Sequence, residues 1–104
     1  MKKFLDINIE DKFKVKTELV LTGIINSKYY GKIESGNYLK FNFKENVITR
    51  KIIGVDYFTI PFYLSLDEVK TRNVGLLIEF ENEKELKGIL DSKTLRQVAE
   101  IYKD

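Results

Sequence analysis

The segment from Phe13 to Gly36, FKVKTELVLTGIINSKYYGKIESG, narrows the folds open to this chain more than any other stretch. It reads as two strands that turn back on each other and end in a glycine-closed corner. Phe13 and Val15 alternate with Lys12, Lys14 and Lys16, which predicts a half-buried strand with a fully basic outer face. Leu19 to Ile25 is apolar on both faces. Such a run suits a strand covered on both sides or one that bends at its glycine. Asn26 to Gly31 is turn chemistry with two tyrosines at the tip. Gly36 and Asn37 are the residues that tolerate a positive φ at the corner beyond it.

The flanking sequence supplies more strands. Leu5, Ile7 and Ile9 share one face of a period-two pattern that Glu10-Asp11 interrupts. Residues 38–43 alternate with Leu39, Phe41 and Phe43 inward, and Lys44-Glu45-Asn46 makes a tight turn. Val47 to Val55 is a strand of mixed faces, interrupted at Gly54 by a bulge at a barrel corner. Tyr57 to Leu66 is the most apolar stretch. Pro61 assigns it to an edge or a covering loop, with Tyr57, Phe58, Phe62 and Tyr63 as core or as an interaction patch. Val74 to Glu81 is a core strand with Leu76, Ile78 and Phe80 on one face. At the end, Asp91 and Ser92 are N-cap types. Leu95, Val98, Ala99, Ile101 and Tyr102 then recur at three- and four-residue spacing, which predicts a helix over 92–103. The expected architecture is all-β: one domain over 1–104, a small antiparallel Greek-key β-barrel over 4–90, and a short C-terminal α-helix docked on it.

Composition excludes several chemistries. With no cysteine and no histidine, disulfides, thiolate or imidazole metal sites and the usual general bases cannot be built. No metal, cofactor or enzymatic role is therefore expected. No apolar run reaches membrane-spanning length, and Asp6 interrupts the start too early for a signal peptide, so the expected setting is cytoplasmic. The net charge of +2 is small, but it is unevenly placed. Residues 12–51 hold nine Lys or Arg against three Glu, and residues 52–104 hold seven basic against ten acidic groups. The basic half reads either as a footprint for phosphate or as lysines that keep strand faces and edges from aggregating.

Several motifs also fall in one known order. Phe4-Leu5 through Glu10-Asp11-Lys12-Phe13-Lys14-Val15, Val20-Leu21-Thr22-Gly23-Ile24-Ile25 and Gly31-Lys32-Ile33-Glu34-Ser35-Gly36-Asn37-Tyr38-Leu39 come first. Thr49 to Asp56, Asn73-Val74-Gly75-Leu76-Leu77-Ile78 and Lys84 to Leu90 follow. This series resembles the second, β-barrel domain of translational GTPases such as elongation factor Tu. The resemblance implies a six- or seven-stranded Greek-key barrel with Lys84 to Leu90 as its closing strand. It does not extend to nucleotide binding: none of the six glycines is followed by Lys-Ser or Lys-Thr, so no phosphate loop is present. Where that family carries a basic residue near its transfer-RNA pocket, this chain reads Glu79-Phe80-Glu81-Asn82-Glu83.

The expected function is that of a non-catalytic binding module contacting RNA, the ribosome or a protein partner. Its candidate residues are Lys12, Lys14, Lys16, Lys28, Tyr29, Tyr30, Lys32, Arg50 and Lys51, which combine cations with stacking surface. The alternative is a small inhibitor or immunity-type protein that neutralises a toxin or enzyme through an acidic strand carrying Glu79, Glu81, Glu83 and Glu85. Asp56 and the pair Asp67-Glu68 are carboxylates near apolar segments, better suited to turns or caps than to acid–base work.

Overall fold

The computed structural model describes residues 1–25, 33–57 and 72–104. Six strands and one helix occur among them: β1 (Lys2–Val15), β2 (Glu18–Ile25), β3 (Tyr38–Phe43), β4 (Asn46–Tyr57), β5 (Arg72–Ile78), α1 (Glu83–Asp91) and β6 (Val98–Lys103). The strands close into a barrel in the order β1-β2-β5-β4-β3-β6, every pairing antiparallel. β3, β4 and β5 form a meander, and β2 lies beside β5 rather than beside β3. That is a Greek key. Closure leaves none of these strands as an unpaired sheet edge.

The interior is mostly aliphatic. Leu5, Ile7 and Ile9 of β1 meet Leu19, Leu21 and Ile25 of β2, with Leu39, Phe41, Ile52, Val74, Leu76, Ile78, Ala99 and Ile101 from the other strands. Each of these side chains except that of Ala99 contributes on the order of 1.5–3 kcal/mol of transfer free energy. Gly23 stands where β1 and β2 are in close contact. A Cβ there would lie 2.7 Å from the Asn8 carbonyl oxygen and 2.8 Å from Ile7, so the Thr-Gly step in β2 is a packing requirement. The corner before β3 depends on Gly36 at φ +99, and the Asn37 side chain accepts from the Glu34 N–H at 2.8 Å.

Two hairpins close on two-residue turns. Phe43 pairs with Asn46 around Lys44 and Glu45, both at positive φ, the pattern of a type I′ turn. Val15 pairs with Glu18 around Lys16-Thr17, with Lys16 at φ 58. The expected bulge in β4 lies between Ile52 and Gly54.

Three expectations are corrected. The helix predicted over 92–103 is not there: Val98–Lys103 is β6, which pairs with β1 on one side and β3 on the other and so completes the barrel. The helix is instead Glu83–Asp91, inside the stretch taken for the closing strand. Asn82 caps it, its side chain accepting from the Glu85 N–H at 2.9 Å, and Leu86 and Ile89 bury its inner face. It covers the barrel end at which β1, β3 and β5 finish, with Gly88 close to the Phe43 ring.

The second correction concerns Glu79 to Glu85. They do not lie along a strand, because β5 stops at Ile78 and the helix begins at Glu83. The third concerns β1, which is one fourteen-residue strand rather than two pieces. A bulge between Ile9 and Asp11 shifts its phase. Beyond it Phe13 and Val15 point outward, 47% and 51% exposed, while Lys12 and Lys14 pair opposite the inward Leu21 and Leu19. The extra residue reverses the faces, since alternation restarts one position later.

Candidate binding surface

Of the nine residues expected to form a basic and aromatic surface, five are described: Lys12, Lys14, Lys16, Arg50 and Lys51. Lys28, Tyr29, Tyr30 and Lys32 lie outside the described residues, as do Asp67, Glu68, Phe58, Phe62 and Tyr63. Lys12 faces the helix, and its ammonium donates to the Ser92 carbonyl just past the end of α1. A cation there compensates the negative end of the helix dipole.

Arg50 is also engaged internally. Its Nε donates to Glu85 Oε2 at 3.0 Å, its Nη2 pairs with Glu85 Oε1, and its Nη1 donates to the Thr49 carbonyl at 2.9 Å. Glu81 adds a carboxylate at 3.5 Å from Nη2. The Glu85 side chain is 11% exposed and that of Arg50 22%, so this two-pronged pair is shielded from solvent and salt. The Arg50 hydrogen bond holds the Glu85 carboxyl below its ordinary value, and Glu85 in turn raises the guanidinium. Of the five described candidate cations, Lys14, Lys16 and Lys51 remain exposed.

The acidic alternative divides in the same way. Glu79, Glu81 and Glu83 are exposed, and Glu85 turns inward to Arg50 while also accepting from the Glu81 N–H at 2.7 Å. Asp56 is exposed on the outer side of β4. Among the described residues no cluster of three Asp or Glu is arranged to hold a metal ion.

The surface that the sequence reading missed is apolar. On the outside of β1, β2, β5 and β4 the register sets Phe13 beside Val20, Val20 beside Leu77 and Leu77 beside Gly54. The neighbouring row is Asp11, Thr22, Gly75 and Asp56. Together with Val15 and Val55, all of these but Asp11 border a groove of about 540 Å³. Its floor lacks a side chain at the half-buried Gly54, so an incoming group can lie close to the backbone there. The signal for it was present in the Glu10-Asp11 break, which marks a bulge and not the end of a strand. A second hollow of about 580 Å³ has Arg50, Lys51, Glu79 and Glu81 on its walls, so its charges largely cancel.

No family model, no curated protein and no solved structure matches this chain. Among the described residues no helix is long and apolar enough to cross a membrane.

Proposed function

We propose that this barrel is a non-catalytic binding module that docks a protein partner on the outer groove of β1, β2, β5 and β4. The observation that carries this reading is the exposure of Phe13 and Val15 beside Val20 and Leu77, since a large apolar surface left outside a closed barrel has use only when something covers it. A module of the translation-factor type is supported by the motif order and by the Greek-key barrel, and fold alone does not assign the ligand. RNA as that ligand is disfavoured because Lys12 and Arg50 are committed to Ser92 and Glu85. The inhibitor or immunity-type reading is a special case of protein docking. The exposed Glu79, Glu81 and Glu83 favour a basic-faced target for it.

The test is a tagged capture from native lysate with matched variants. A stoichiometric protein held by the parent chain and by Lys14→Ala/Lys16→Ala/Lys51→Ala, lost with Phe13→Asp, and resistant to ribonuclease is the expected result. Material that disappears on ribonuclease treatment or with the lysine variant, and is indifferent to Phe13→Asp, returns the function to RNA.

A further inference from the structure

Building on the docking reading above, we propose that the outer groove is selective for a cationic protein segment: one bulky apolar side chain flanked on both sides by Lys or Arg. The strand register is the basis. The apolar row Phe13, Val20 and Leu77 runs across three strands. On one side of it the next outward row carries Asp11 and Asp56 at its two ends. On the other side Glu18 pairs with Val15 across the hairpin. All three carboxylates are exposed, and among the described residues none forms an ion pair. Among the described residues the cation at this face is Lys16 in the hairpin turn. Lys14 lies on the opposite side of β1. An apolar anchor entering over Gly54 therefore meets more negative than positive charge among the described residues, which favours basic flanks and penalises acidic ones. The arrangement disfavours a second copy of the same face, because such a pairing sets acidic rows close to one another.

The probes are three sets of short synthetic peptides. Each carries a central Phe, Leu or Trp, and the flanks are Lys or Arg, Ser, or Glu. Binding is read by fluorescence anisotropy at low and moderate salt. The expected result is about tenfold tighter binding of the basic set than of the Ser set, a preference that shrinks with salt. Phe13→Asp should abolish binding of every set. Asp56→Lys should weaken the basic set more than the Ser set and so shrink the basic preference. Both positions are exposed, and thermal melting confirms that the variants fold. Equal affinity across the three sets overturns the charge selectivity and leaves the docking groove standing. Absence of binding by any set overturns both. Sedimentation that shows a dimer broken by Phe13→Asp overturns the cationic partner in favour of a second copy.

Discussion

The two halves of β1 carry the same alternation and send it in opposite directions. Before the bulge, Leu5, Ile7 and Ile9 fill the barrel and Asp6 and Asn8 face outward. After it, the apolar Phe13 and Val15 are outside and Lys12 points to the end of the helix. The first half builds the core, and the second builds a surface. One extra backbone residue separates these roles, so hydrophobicity along a strand does not by itself say which side is inside.

Ile7→Ala tests the inner half and should have the largest effect. Ile7 is 1% exposed, so truncation leaves a cavity and should cost about 2–5 kcal/mol in denaturant unfolding. A loss below about 1 kcal/mol would mean that this half is not the core side. Gly23→Ala probes the junction. Gly23 pairs with Ile9 next to the bulge, and its added Cβ meets a backbone oxygen that cannot move cheaply. A loss of about 1–3 kcal/mol is expected. A neutral result would show that β1 and β2 can separate there and that the bulge is not held in place by their contact.

Glu85→Gln bears on the outer half indirectly, because it loosens the helix whose end Lys12 holds. Removing a shielded charge-assisted pair should cost about 1–3 kcal/mol near neutral pH. Its pH course follows from the sign of the shift. The folded carboxyl titrates below its ordinary value of 4.5, so the stabilisation is complete above that value. It is lost as pH falls through the folded value. The gap between parent and variant should therefore close on acidification below about pH 4.5. A gap that stays constant down to the folded value would mean that the charge of Glu85 contributes nothing.

The sequence disclosed the barrel where a strand has one buried face and no interruption. Leu39 and Phe41, and Leu76 and Ile78, alternate plainly and are buried as expected, while Phe80 lies beyond the end of β5. It misled at β6, where Ala99 and Ile101 fit a strand while Leu95, Val98 and Tyr102 complete a helical stripe. Pairing with β1 and β3 together decides that case, and such long-range pairing is not visible locally. The helix at 83–91 was partly legible in Asn82 followed three residues later by Glu85, the start signal of a helix. The Arg50–Glu85 pair spans thirty-five positions and exists only once the barrel has closed, so Arg50 read as a free cation. The groove was hidden for the same reason that β1 was split: a bulge and a strand break look alike in sequence.

The smallest stability effect is the sharpest check on the two halves. Phe13→Ser removes a ring as large as any in the chain's alternating strands, and an inward ring would cost about 3–5 kcal/mol on truncation. Here the ring is 47% exposed and its cross-strand neighbour is the outward Val20. The expected loss is that of one surface pair, about 0.2–1 kcal/mol. Measured beside Ile7→Ala in the same denaturant series, the two substitutions should differ several-fold in cost although both residues sit in one strand in similar sequence surroundings. Equal costs would mean that the phase does not reverse at Ile9 and Asp11, and the outer groove would then have no apolar wall on its β1 side. A small cost for Phe13 places its ring where only a bound partner benefits from it.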